Sequence, residues 1–189
     1  GVGILLAEKW MEHVLEVKRI SDRICAMKIN VGFTILTTFS IYAPQVGLDD
    51  EAKDSFYDEL FCAVSKTAET ESLFLCGDFN GHVGSMAGGY EGVHGGYGYG
   101  ERNPEGVRLL DFAVANELVI TNSMFQKRSS HLVTYQSGGA STQVDYILTR
   151  KNNFRHVTNT KVVPNEECAL QHKLVICDKS LPLGFVSGD

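Results

Sequence analysis

A chain of 189 residues with 43% hydrophobic, 21% charged and 10% aromatic residues has the composition of one globular domain with a full core, and requires neither a metal nor a disulfide staple to fold. Its apolar runs are only a few residues long, which excludes a membrane-spanning helix of about 20 residues. A formal net charge of −6 excludes a domain that grips nucleic acid through overall positive charge.

In chain order, residues 3–7, 14–20, 24–30 and 34–42 are rich in β-branched and apolar residues. Short polar breaks such as Ser21-Asp22-Arg23 separate them at hairpin spacing, which predicts an antiparallel meander. Gly1 opens in mid-strand pattern without an initiator Met, and predicts an internal segment of a longer protein. A helix is predicted over residues 50–67, capped by Asp49 or Asp50, with Phe56, Leu60, Phe61 and Val64 on its inner face. Residues 72–76 read as a buried strand that ends at Gly77-Asp78-Phe79-Asn80.

A glycine-dense loop follows, holding Gly84, Gly88, Gly89, Gly92, Gly95, Gly96, Gly98 and Gly100. Its spacing does not fit a dinucleotide site; the expectation is a mobile surface loop whose Tyr90, Tyr97 and Tyr99 could touch a ligand. A second helix begins with Asn103 as cap and Pro104 at its first position, turns Leu109, Leu110, Phe112 and Ala113 inward, and stops near Asn116. Residues 118–122, 132–135, 143–148, 156–163 and 173–177 complete the strands. Residues 1–180 are therefore read as one domain of packed mixed sheets flanked by helices, with 181–189 as a tail.

Charge is uneven along the chain. Over residues 45–71 eight acids face only Lys53 and Lys66, whereas over 118–163 six Lys and Arg face only Asp145. The basic stretch reads either as an ordinary solvated surface or as a strip near a phosphate-bearing ligand. The five cysteines form no Cys-x-x-Cys pair and no glycosylation sequon occurs, which together predict a reducing, intracellular compartment.

The chemistry-bearing positions are few. Asp78 and Asn80 stand two apart at a strand's end, on one side of the chain beyond the last pairing. Their oxygens suit a hard cation such as Mg²⁺, or one base plus one water-orienting group, and the pair is also a good turn. Asp145 lies among apolar neighbours in a strand and requires a partner, for which His172 at the head of the last strand is suited. An Asp that fixes a His tautomer is the orienting half of many hydrolytic sites, and equally a structural hydrogen bond. His13, His82, His94, His131 and His156 lack ligand spacing and read as surface or satisfied residues.

Ile41-Tyr42-Ala43-Pro44, Gly77-Asp78-Phe79-Asn80, Val144-Asp145-Tyr146-Ile147-Leu148 and Gln171-His172-Lys173-Leu174-Val175 together resemble, in order and spacing, the endonuclease/exonuclease/phosphatase family. The stretches from His94 to Asn103 and from Leu109 to Phe112, with the pair Thr134-Tyr135, are similar to the apurinic-type endonuclease domain of RTE/BovB-like LINE retrotransposons. The resemblance implies a four-layered α/β sandwich of two packed mixed sheets flanked by helices, its first strands lying upstream of Gly1. It also implies metal-dependent phosphodiester hydrolysis of DNA, with Mg²⁺ or Mn²⁺ as cofactor, no membrane partner and a nuclear location.

By the same resemblance Asp78 activates water, Asn80 orients it or joins Asp78 on the metal, and Tyr42 donates to a phosphate oxygen. Asp145 orients His172, which stabilises charge on phosphorus, and Arg102, Thr134 and Tyr135 bind substrate. The family's upstream Asn and metal-binding Glu are not among these residues, and Gln171 stands where the family has Asp. An incomplete sheet of this kind is expected to be covered by an upstream segment or a partner chain. Two further readings stay open: a catalytically degraded member kept as a binding module, and a phosphoesterase acting on a soluble phosphoester.

Overall fold

The computed structural model describes residues 1–180, so the tail read over 181–189 lies outside the described residues. The meander forms as β1 (Val14–Arg19), β2 (Ile24–Asn30) and β3 (Ile35–Tyr42), paired antiparallel. Helix α1 (Asp50–Ser65) carries the chain over to β4 (Ser72–Asp78), which lies parallel to β3. Next come the glycine loop, α2 (Pro104–Ala115), β5 (Leu118–Ile120), β6 (Tyr135–Ser137), β7 (Ala140–Thr142) and β8 (Asp145–Arg150). The short α3 (Lys151–Phe154) and the hairpin of β9 (Val157–Ala169) with β10 (His172–Lys179) complete the described chain.

Two sheets result. One has six strands in the order β1-β2-β3-β4-β8-β5, the other four in the order β7-β6-β10-β9. Strand alternation sorts the side chains of the larger sheet between two faces. Ile24, Phe39, Ile41, Leu73, Leu75 and Leu148 point to the face that α1 covers with Phe56, Leu60 and Val64, and α2 with Leu109, Leu110 and Ala113. Each such side chain, wholly withdrawn from water, contributes roughly 1.5–3 kcal/mol. Phe74, Cys76 and Ile147 point the other way, where they meet Val157 of β9 and Val175 and Cys177 of β10. Among the described residues no helix is long and apolar enough to cross a membrane.

Both helix starts follow the sequence rules, with Asp49 accepting from the Ala52 amide and Asn103 from that of Gly106. Four expectations fail locally. Residues 3–7 form no strand: Ile4, Leu6 and Trp10 pack on Met27, Ile29 and Val31 of the meander, covering apolar surface without joining the ladder. Phe61 is 46% exposed, because the contact stripe of α1 is only as wide as Phe56, Leu60 and Val64. Residues 121–123 leave β5 as a 3₁₀ turn, and residues 132–134, though buried, precede a strand that starts at Tyr135. For residues 121–123 and 132–134 burial was legible from hydrophobicity, but the backbone partner was not.

Candidate active site

Three adjacent strands of the larger sheet end at one level. Tyr42 of β3 lies beside Asp78 of β4, and Asp78 beside Asp145 of β8. Alternation turns these side chains toward the second sheet, whose β10 opens with His172. Gly77 permits the close approach: its φ is +150°, and a Cβ there would stand 1.9 Å from the Ile41 carbonyl oxygen. The result is a cleft of about 410 Å³ whose lining includes Tyr42, Gln45, Asp78, Asn80, His82, Tyr135, Gln171 and His172. Grooves of about 500 and 530 Å³ elsewhere contain none of these groups.

His172 directs Nδ1 at Asp145, 3.0 Å from Oδ2 and 3.2 Å from Oδ1. That contact leaves Nε2 as the ring nitrogen without a hydrogen-bond partner among the described residues. Thr134, fully buried, accepts the amides of both Val144 and Asp145 on Oγ1 at 3.0 Å, fixing the strand from which Asp145 projects. Asn122 braces the same strand: its amide donates to the Asp145 carbonyl and its oxygen accepts from the Ile147 amide.

Asp78 accepts from the Asn80 amide at 2.8 Å, a turn that places Asn80 at φ +50°. Asn80 donates its side-chain Nδ2 to the Ala43 carbonyl at 2.8 Å, and its Oδ1 has no hydrogen-bond partner among the described residues. Burial pushes the Asp78 carboxyl up to about 6, with the Asn80 amide opposing and the neighbouring Asp145 charge adding to the rise. A carboxylate under-neutralised in this way, beside a second acid and an amide oxygen, is an all-oxygen donor set suited to a hard divalent cation. Among the described residues no group of three or more His, Cys, Asp or Glu could hold a metal, so such an ion would need water or substrate oxygens to fill its shell.

The Tyr42 hydroxyl accepts from Gln45 Nε2 at 3.1 Å, which leaves its own proton free to donate. The Arg23 guanidinium stacks 5.2 Å from the Tyr42 ring centre and donates to the Tyr42 and Ala43 carbonyls. Tyr135 packs its ring 4.8 Å from that of His172.

Tyr42, Asp78, Asn80, Tyr135, Asp145 and His172 thus come together, and two expected substrate ligands do not join them. Arg102 donates to the carbonyls of Val83, Met86, Ala87 and Gly88 and lies over the Tyr90 ring, so its guanidinium is spent on holding the glycine loop. Thr134 is sealed from solvent and positions Asp145 instead of touching a ligand. Within the glycine loop, His94 is 1% exposed and bonded to Gly84 and Gly96, a satisfied core histidine held below its ordinary pKa by burial.

Sequence reasoning missed His82 and Gln45. His82 lines the cleft, seated over the start of α2 where a Cβ on Gly106 would lie 1.7 Å from its carbonyl oxygen. No local signal marked it, since the turn at Asn80 ends the strand's alternation before His82 is reached. Gln45 gave none, because its partner hydroxyl lies three residues back across a turn.

No protein-family model matches the chain. It is 31% identical over 188 residues to craniofacial development protein 2 of Bos taurus, spanning 98% of this chain and 31% of that protein. To the same-named protein of Tragulus javanicus it is 30% identical, over 98% of this chain and 32% of the relative. The chain therefore spans about a third of the length of the curated relatives it matches. Among solved structures it resembles the endonuclease domain of TRAS1, a telomere-specific non-LTR retrotransposon, with a TM-score of 0.65 at 14% identity, covering 88% of this chain and 66% of that one. It also resembles the 3′ phosphatase NExo from Neisseria bound to a product DNA hairpin, with a TM-score of 0.60 at 12% identity, covering 84% and 65%. An endonuclease/exonuclease/phosphatase family protein from Leptotrichia buccalis matches with a TM-score of 0.55 at 18% identity, over 84% of this chain and 54% of that one. The mixed α/β fold of two packed sheets with helices is the fold of these proteins.

Proposed function

We propose that this chain carries the hydrolytic centre of a DNA endonuclease of the retrotransposon type, cleaving a phosphodiester with the help of a divalent cation. The observation that carries the reading is the meeting of Asp78 in one cleft with His172 from the other sheet, whose Nδ1 is held by Asp145 beside Asp78. The fold shared with nucleases and phosphatases supports it.

Asp78 is the base: withdrawn from water, its carboxyl is more basic than an exposed one and draws a proton from the attacking water. Asn80 Oδ1 orients that water or shares the cation. His172, oriented through Nδ1 by Asp145, presents Nε2 to the phosphate, where it stabilises the charge developing on phosphorus. The Tyr42 hydroxyl donates to a second phosphoryl oxygen. A preorganised donor of this kind contributes about 3–4 kcal/mol to the transition state. Mg²⁺ or Mn²⁺ would be held by Asp78 and Asn80 and, when bound, neutralises charge on the phosphate and leaving oxygen.

The test is nicking of supercoiled plasmid in Mg²⁺ by the chain and by the longer protein that contains it. Activity that disappears in Asp78→Asn and in His172→Asn is the expected result; equal nicking by the double variant overturns the assignment. A second reading, a nuclease-derived binding module, is favoured by the absence of a three-ligand metal group among the described residues. It predicts binding of a DNA duplex without cleavage, unchanged by Asp78→Asn.

A further inference from the structure

Gln171 occupies the turn between β9 and β10 with φ at +70°, a left-handed conformation that costs a residue bearing a Cβ about 1–2 kcal/mol. Its side chain reaches across to β6. The Tyr135 hydroxyl donates to Gln171 Oε1 at 3.0 Å, and Gln171 Nε2 donates to Ser137 Oγ at 2.9 Å. The backbone reinforces the link, since the Gln136 amide donates to the Gln171 carbonyl at 3.0 Å. That bond and the one from the Lys173 amide to the Thr134 carbonyl at 2.8 Å flank the pairing of His172 with Tyr135, the one register pair of β10 with β6 among the described residues. Each polar atom of the amide is thereby engaged by a protein group.

The geometry points to Gln171 as the positioning residue of the His172 imidazole: by bridging Tyr135 and Ser137 it holds the Tyr135 ring against that of His172. Asp145 fixes the imidazole at one nitrogen only, and rotation about that hydrogen bond is limited by what lies against the ring face. Tyr135 supplies that face at 4.8 Å, tilted by 59°. A phenol tethered at its hydroxyl cannot swing away without breaking the bridge to Gln171. The side chains of Tyr135 and Gln171 are solvent-accessible, so the tie orients the ring more than it stabilises the fold.

The catalytic consequence rests on the nuclease reading above, but the orientation itself does not, and the experiment separates them. The full chain is labelled with ¹³C at histidine, and the imidazole signals of its six histidines are recorded for wild type, Tyr135→Phe, Gln171→Leu and Gln171→Glu. In Tyr135→Phe and Gln171→Leu the His172 signals move or broaden while those of the other histidines stay in place. Gln171→Glu keeps an acceptor for the Tyr135 hydroxyl, so its His172 signals stay as sharp as in wild type, displaced only by the added charge. His172 signals that stay fixed in Tyr135→Phe and Gln171→Leu overturn the proposal, as does a Gln171→Glu spectrum that matches Gln171→Leu. If Gln171→Leu does not fold, Tyr135→Phe alone decides. Where plasmid is nicked, kcat falls about tenfold to a hundredfold in the two disruptive variants with KM nearly unchanged. Moved signals with no nicking even by wild type retain the positioning role and reject the nuclease.

Discussion

Asp78→Asn should make the protein more stable at neutral pH and change it little in acid. In the fold this carboxyl titrates near 6 against an ordinary value of 3.8, chiefly because it is withdrawn from water. The folded chain thus holds the proton more tightly than the unfolded chain, and stability falls as pH rises through the interval between the two values. Above about 6 the loss is complete, and the gap corresponds to about 2–3 kcal/mol. An amide of the same shape carries no charge to bury and escapes that cost. Urea unfolding of wild type and variant at pH 7.5 and pH 4 measures the difference directly. The expected gain is about 2–3 kcal/mol at pH 7.5, shrinking to about 0.5 kcal/mol at pH 4. An equal effect at both pH values, or a loss at pH 7.5, would refute the idea that the site stores an under-neutralised charge.

Thr134→Val removes the acceptor of two amides, Val144 and Asp145, and should destabilise the chain by about 2–4 kcal/mol in the same unfolding assay; a change under about 0.5 kcal/mol would show that those amides find another partner. Gln143 is 2% exposed and neither of its amide atoms has a hydrogen-bond partner among the described residues, so Gln143→Met should stabilise by about 1–2 kcal/mol; destabilisation instead would reveal an ordered water bound there. Arg102→Met should raise hydrogen exchange over residues 84–100, where the guanidinium caps the loop carbonyls, and leave the His172 signals in place. Loss of DNA binding with loop protection intact would return Arg102 to the substrate.

What the sequence reveals and what it hides divide along a physical line. Helix starts depend on neighbours within a few residues, and Asp49, Asn103 and Pro104 are legible for that reason. The Asp145–His172 pair is legible because an acid among apolar residues demands a partner and few candidates exist. Sheet order is not local: nothing within residues 72–78 says that β4 runs parallel to β3 and antiparallel to β8, yet that pairing sets Tyr42, Asp78 and Asp145 in one row. Arg102 shows the limit of motif transfer, since a basic residue at an expected position spends its donors on the loop it belongs to. Thr134 is a milder case, expected at the substrate but sealed from solvent, where it supports Asp145. Residues 3–7 mislead because an apolar stretch can cover a sheet without pairing with it.

A double-mutant cycle on plasmid nicking addresses the central claim, that Asp78 and His172 act on the same phosphate. Each single alanine substitution should cost about a thousandfold, and the double variant should be no slower than the slower single. Losses that multiply through the double variant would mean that the two side chains work independently, and would contradict a shared centre.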